Sequence, residues 1–129
     1  MSSIPMPSMT GANEQTESTE LGHTIVDIIA DRQGSDIVLM DLRAVSLLAD
    51  YFVLASADSR RQLRAIMDTV QETLHKSQTN PLRVEGTPES GWIIMDYGGV
   101  VVHLFDPEAR AFYRLEQLWK NAPIVLRMQ

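Results

Sequence analysis

Carboxylates offer the most direct route to catalysis in this sequence, and their spacing decides which reactions are open to them. A Gly-Ser pair ahead of metal-binding carboxylates is an arrangement of nucleotide-transferring enzymes, and Gly34-Ser35 stands before a predicted strand. Two-metal chemistry needs acidic side chains that converge, typically two residues apart on one strand. No second acid follows at that spacing after Asp41, Asp50 or Asp96. The spacing argues against an enzyme, and Gly34-Ser35 is explained more simply as a helix end followed by a turn.

Histidine and cysteine provide no alternative catalytic or metal centre. His23, His75 and His103 are far apart in the sequence, and there is no cysteine, which excludes disulfides, thiolate catalysis and Cys-ligated zinc. Phosphate-binding glycine loops and the Gly-x-Ser-x-Gly motif are absent as well. His103 lies within an apolar run, where we expect a structural histidine; a strand position facing a partner is the alternative. We therefore predict no metal and no cofactor.

Aromatic and charged side chains gather in the last third of the chain, a mixture typical of protein interfaces. Phe112 and Trp119 fall on the predicted apolar face of the last helix, where we expect core positions. Tyr113 and Glu116 lie on an adjoining face and are better candidates for contact with a partner. Trp92 opens a strand and suits either role.

Size and charge restrict the class of protein. The chain has 129 residues, is 44% hydrophobic and carries a net charge of -6, which suits one globular domain. An acidic balance disfavours a free-standing nucleic-acid binder and favours a basic protein partner. The one tight basic cluster, Arg60, Arg61 and Arg64, is expected to be a solvated helix face. No apolar run approaches the ~20 residues that cross a bilayer, and the lack of cysteine suits the cytoplasm.

The hydrophobic pattern predicts helices and strands in the order α, β, β, α, β, β-hairpin, α. A mixed β-sheet of about five strands flanked by helices follows from this order. Residues 1–20 are rich in Ser and Thr and have no Lys or Arg; we expect a disordered acidic tail, followed by a single domain over 21–129. The predicted elements are a helix from Leu21 to Gly34, strands at 37–42, 51–57 and 82–85, a helix with a capping box at Ser59–Gln62, a hairpin of 92–97 and 100–105 around Gly98-Gly99, and a helix after Asp106-Pro107.

The ordered set of motifs over 21–129 resembles the ribosome silencing factor family, also called RsfS or Iojap-like proteins. The segments that carry the resemblance are Gly34-Ser35-Asp36-Ile37, Ala49-Asp50-Tyr51-Phe52-Val53, Ser59-Arg60-Arg61-Gln62, Val84-Glu85-Gly86, Trp92 to Gly98, Val101 to Phe105 and Arg110 to Trp119. One position departs from the family pattern, which usually has Asp where this chain has Gly99.

The resemblance implies a non-catalytic protein with a nucleotidyltransferase-like fold that lacks the catalytic carboxylates. It implies binding to the large ribosomal subunit through its fourteenth protein, a basic one, and a steric block of joining with the small subunit when nutrients are scarce. It also implies a homodimer when free. The alternatives are a nucleotide-binding or nucleotidyltransferase-like enzyme and a homodimeric adaptor with a non-ribosomal partner.

Residue type and motif position together suggest which side chains touch the partner, with the acids facing basic groups. The predicted contact set is Asp50, Tyr51, Trp92, Asp96, Tyr97, His103, Tyr113 and Glu116.

Overall fold

The structure is a computed structural model that describes residues 7–129, with side chains from residue 16 onward. Within this range no helix is both long and apolar enough to span a bilayer. The elements are α1 (Pro7–Asp31), β1 (Ser35–Asp41), β2 (Tyr51–Ser56), α2 (Arg60–Lys76), β3 (Arg83–Glu85), a 3₁₀ turn (Pro88–Ser90), β4 (Trp92–Asp96), β5 (Val100–Phe105), α3 (Pro107–Tyr113), α4 (Leu115–Leu118) and β6 (Ile124–Met128).

The strands form one mixed sheet in the order β3-β4-β5-β2-β1-β6. The β2–β5 pair is parallel, and the other pairs are antiparallel. The predicted mixed sheet flanked by helices is confirmed, with a sixth strand in addition. Sequence periodicity missed β6 because its residues are mostly exposed on both faces. Hydrogen bonding to β1, rather than burial, fixes it as a strand.

Alternation along the strands separates the core into two clusters, one on each face of the sheet. On one face, residues such as Ile37, Val53 and Val102 pack under α1 and α2. On the other, Leu54 and Phe105 pack with residues that include Leu115 of α4. Apolar residues on both faces of β2 mark it as the central strand that its sequence predicts.

The predicted start of α2 forms with one difference. The Ser59 hydroxyl accepts from the Gln62 backbone N–H at 3.1 Å, as in a capping box. The Gln62 side-chain oxygen, however, accepts from the Asp58 N–H instead of from Ser59. Its amide nitrogen donates to the carbonyls of Arg32 and Gln33, so Gln62 ties the start of α2 to the end of α1.

The predicted hairpin joins β4 to β5 through Gly98-Gly99. Gly98 has a φ of +91°, a conformation that glycine adopts without strain. The Asp96 carboxylate accepts from the Gly98 N–H at 2.8 Å, and the Gly99 carbonyl accepts from the N–H groups of Asp50 and Tyr51. The turn therefore also fixes the entry to β2.

The last helix is broken, which corrects two expectations. Asp106 caps α3 and Pro107 opens it, as predicted, but Arg114 adopts a φ of +48° and separates α3 from α4. Phe112 is 77% exposed, so its predicted core position was wrong. Trp119 packs half-buried against the second core cluster, as expected. The break, which ends the continuous helical stripe, is the physical reason for the difference.

The N-terminal helix begins earlier than the sequence pattern indicates. Residues 7–20, expected to belong to a disordered tail, are the first part of α1, while residues 1–6 lie outside the described residues. Ser18 is buried, and the Thr19 hydroxyl lies 2.8 Å from the Tyr51 hydroxyl. Hydrophobic periodicity does not report a polar contact of this kind, which joins the helix to the sheet at Thr19.

Candidate protein-binding site

A shallow trough of about 270 Å³ lies on the sheet face opposite α1 and α2, beside the part that α3 and α4 cover. Four neighbouring strands build it, because alternation turns every second side chain of β3, β4, β5 and β2 to this face. We call it the trough. Its lining residues are Leu48, Ala49, Phe52, Arg83, Glu85, Ile94, Asp96, Val101 and His103.

Aromatic rings in mutual contact run from the trough towards α3 and α4. The Trp92 ring lies 4.4 Å from the ring of Tyr113, and its indole N–H donates to Nδ1 of His103 at 3.2 Å. Phe52 packs edge-on to His103 at 4.6 Å and to Trp119 at 5.7 Å between ring centroids. We call these five residues the aromatic row. They give the open face a rigid apolar surface of the kind that anchors protein interfaces.

Three charged side chains, two acidic and one basic, lie at the edge of the trough. Arg83 Nε lies 3.5 Å from Glu85 Oε2 and 3.6 Å from Asp96 Oδ2. Such solvent-facing pairs hold their geometry weakly. A basic partner can therefore replace Arg83 beside the two carboxylates.

Large apolar side chains stand exposed around this face. Leu47 and Leu48, in the loop between β1 and β2, are fully and 88% exposed, and Phe112 and Leu118 are more than two-thirds exposed. Grouped apolar exposure marks an interaction surface more often than scattered single residues do.

His103 is buried and held in its neutral form. Its side chain is 6% exposed, and burial lowers its pKa to about 4, because an apolar environment disfavours the charged ring. Trp92 satisfies Nδ1, while Nε2 makes no hydrogen bond within residues 16–129. One ring nitrogen therefore has the hydrogen bond expected of a structural histidine, and the other does not.

The structure brings together four of the eight predicted contact residues. Trp92, Asp96 and His103 lie on the trough face, and the ring of Tyr113 packs at a tilt against Trp92. Glu116, at the start of α4, pairs with Arg110 instead. Asp50 sits apart at the hairpin end of β2, half-buried.

Two predicted contact residues point to the helical face instead. Tyr51 is 3% exposed and belongs to the core under α1 and α2, with its hydroxyl beside Thr19. Tyr97 packs against the same core, and burial raises its pKa to about 12. Successive residues of a strand point to opposite faces of the sheet. Tyr51 is next to Phe52 and Tyr97 is next to Asp96, so both tyrosines face away from the trough.

Arg110 is a residue that the sequence did not mark as central. Its guanidinium donates to both Glu116 carboxylate oxygens at 3.1 and 3.0 Å, to the Ser56 hydroxyl at 2.9 Å and to the Asp36 carbonyl at 2.8 Å. These bonds lower the pKa of Glu116 and join α3 and α4 to the sheet. Glu116 is therefore engaged within the chain.

Some lining residues that were not predicted could have been identified from the sequence. Ile94 lies opposite His103, and Val101 lies opposite Asp96, in the hairpin register that the Gly98-Gly99 turn specifies. Phe52 and Leu48 join them only through the parallel β2–β5 pairing, for which no local sequence signal exists.

One of the carboxylates considered for catalysis from the sequence is engaged in an ion pair. Asp41, a carboxylate tested for catalysis above, is paired with Arg43 at 2.7 Å, which lowers its pKa. Within residues 16–129 no group of three His, Asp or Glu side chains stands where it could hold a metal ion. Fold and site together define an α/β protein with an open sheet face that carries aromatic side chains.

Comparison with known proteins specifies the family. The model of the family described as "Ribosomal silencing factor during starvation" matches residues 15–129, and the chain belongs to this family. It is 35% identical to ribosomal silencing factor RsfS of Bacillus subtilis over 73% of this chain and 80% of that protein. It is 33% identical to RsfS of Halalkalibacterium halodurans, over 82% and 91%. A crystal structure of a Chromobacterium violaceum protein is 30% identical, with a TM-score of 0.71, over 81% of this chain and 85% of that one.

Proposed function

We propose that this protein binds the large ribosomal subunit through its fourteenth protein and blocks joining with the small subunit, which lowers translation when nutrients are limiting. Family membership supports the ribosomal role. The trough face is the proposed contact surface. The single observation that supports this choice is that aromatic rings, exposed leucines and an acidic rim adjoin there.

The charge of the site suits a basic partner. Glu85 and Asp96 outnumber Arg83 at the trough, and the whole chain carries a net charge of -6. Electrostatic complementarity of this kind favours the rate of encounter and the choice of partner more than the final affinity. A contact of roughly 800 Å² on each partner is sufficient for a specific complex. Such a patch needs the trough, the aromatic row and the leucines of the β1–β2 loop together.

We infer a non-enzymatic, cytoplasmic protein that forms a homodimer when free. Its contact set comprises Trp92, Asp96, His103 and Tyr113 directly. Tyr51, Tyr97 and Glu116 act by holding the elements behind that surface, and Asp50 holds the hairpin end through its backbone.

The decisive experiment is subunit reassociation in a sucrose gradient, with purified large and small subunits and with or without this protein. We expect free subunits to persist and the protein to travel with the large subunit. Normal joined ribosomes, with the protein left at the top of the gradient, would contradict the proposal and favour an adaptor with another partner. Calorimetric titration with ATP, GTP and CTP in the presence of magnesium tests the enzyme alternative, for which saturable binding is required.

A further inference from the structure

One buried nitrogen at the trough lacks the hydrogen bond that buried polar groups nearly always make. The Nε2 atom of His103 is shielded from solvent and has no partner within residues 16–129. Leaving a buried donor unpaired costs stability. His103 lines the trough, so an interaction made there can satisfy it.

The hydrogen bond from Trp92 determines which His103 nitrogen carries the proton. An indole N–H can only donate, and it lies 3.2 Å from Nδ1. Nδ1 is therefore the acceptor, and the neutral ring has its proton on Nε2. Burial lowers the pKa of His103 to about 4, so the ring is neutral at neutral pH. Nε2 thus presents a single N–H donor and no positive charge.

The surroundings restrict what can accept this hydrogen bond. Phe52, Ile94 and Val101 supply an apolar lining, and the carboxylates of Glu85 and Asp96 stand on the far side of the trough. A carboxylate from a partner would be repelled by these two acids. A main-chain carbonyl is uncharged, accepts readily and is carried by every residue of a loop or strand edge.

We propose that His103 determines specificity in the partner site by donating its Nε2–H to a main-chain carbonyl oxygen of a protein segment that enters the trough. This inference rests on the proposed function and adds to it the chemistry that the partner must present. The same segment would place an apolar side chain on the lining and a basic side chain beside Glu85 and Asp96. Leu48 stands at the rim on a loop and is 88% exposed, so its side chain is free to move as the segment enters.

Two substitutions separate donation by Nε2 from the structural bond to Trp92. In His103→Asn the amide oxygen can take the place of Nδ1 and keep the Trp92 bond, while the donor at Nε2 is lost. In His103→Gln the terminal amide can place an N–H near Nε2, while the acceptor for Trp92 is lost. We expect the Asn variant to bind purified large subunits about tenfold more weakly in co-sedimentation, the loss of one hydrogen bond. We expect the Gln variant to stay within about threefold of wild type.

A purely structural role for His103 predicts the reverse order or equal losses, and either result overturns the inference. Wild-type protein that fails to bind large subunits overturns the proposed function as well. Wild-type binding together with an unaffected Asn variant overturns the role of His103 alone.

A measurement on the wild-type protein keeps the test decisive if either variant does not fold. Nitrogen-15 NMR distinguishes the protonated and unprotonated nitrogens of each histidine ring. His23 and His75, both exposed, serve as internal references. We expect the His103 proton on Nε2; a proton on Nδ1 would remove the donor and overturn the inference.

Discussion

Arg110 secures the broken C-terminal helix through four hydrogen bonds from one guanidinium group. Its side chain is 11% exposed, so the cost of burying its charge is offset by Glu116 and the other acceptors. We expect Arg110→Ala to lower the free energy of unfolding by about 2–4 kcal/mol, because it leaves the partly buried carboxylate of Glu116 without its ion-pair partner. Urea unfolding measures this change. The matched control is Arg61→Ala on the exposed side of α2, and equal effects of the two substitutions would contradict the role of Arg110.

This network also shows a limit of reasoning from sequence. Side chains three or four residues apart meet on one helix face, whereas Arg110 and Glu116 are separated by six positions. They meet because the chain turns at Arg114, whose φ is positive. Neither the break nor the resulting exposure of Phe112 has a local sequence signal, since arginine is an unusual residue in that conformation.

The depressed pKa of His103 predicts a specific pH dependence of stability. Burial lowers its folded pKa to about 4, from the ordinary histidine value of 6.5. Between these pH values the unfolded chain binds a proton that the folded chain does not, so stability falls as the pH drops from 6.5 towards 4. The full contribution is about 3 kcal/mol, present above the unfolded pKa.

Urea unfolding of wild type and His103→Asn across this pH range isolates that contribution, because all other titrating groups are shared. We expect wild type to lose stability more steeply than the variant as the pH falls. Parallel curves would mean that the pKa of His103 is the same in the folded and unfolded chains, contrary to this prediction.

At the level of elements, α1 approaches the β4–β5 hairpin closely at Gly99. A Cβ atom at residue 99 would collide with the Ser18 hydroxyl, and would lie 3.1 Å from Ser18 Cβ and 3.3 Å from Asp50 Oδ2. Glycine here therefore lets the N-terminal part of α1 pack on the hairpin. An aspartate would meet both a clash and a neighbouring carboxylate.

Gly99→Asp should therefore lower the free energy of unfolding by about 1–3 kcal/mol through overpacking. Ser18→Ala removes the hydroxyl that collides, so the double variant should recover part of this loss. The coupling between the two substitutions is measured by a double-mutant cycle in urea. Strict additivity would show that α1 moves away from the hairpin at no cost, contrary to the packing described above.

The elements themselves were predictable wherever local chemistry specifies them. Ser59, the Gly98-Gly99 turn and Asp106-Pro107 each mark a boundary through a hydrogen bond or a preferred φ angle, and the structure confirms all three. Residues 16–20 and β6 were not identified because they depend on long-range partners, Tyr51 and β1 respectively. Contacts of this kind leave no periodic pattern in the sequence.

In the whole molecule, the sheet separates a closed face from an open one. Packing of α1 and α2 closes one face, while the short α3 and α4 leave the trough uncovered on the other. Because side chains alternate along a strand, the motif residues are divided between these two faces. Neighbours such as Asp96 and Tyr97 therefore lie on opposite sides of the sheet. Sequence motifs identified the right strands, and only the pairing of β2 with β5 specified which side chains share a surface.

The division into two faces yields a charge-matched test of the binding surface. Asp96→Lys with Glu85→Lys reverses the acidic edge of the trough, so a basic partner would meet like charges, and we expect at least tenfold weaker co-sedimentation with large subunits. Glu116 is unsuitable for this reversal because it is the partner of Arg110. Asp96→Lys also removes the acceptor of the Gly98 N–H, so urea unfolding first establishes that the double variant is folded. Asp27→Lys with Glu72→Lys makes the same change in net charge on exposed positions of α1 and α2, and should leave binding within about twofold of wild type. Equal losses in both pairs would mean that net charge, rather than the trough, determines the affinity. A larger loss in the helical pair would place the partner on the closed face, against the assignment made here.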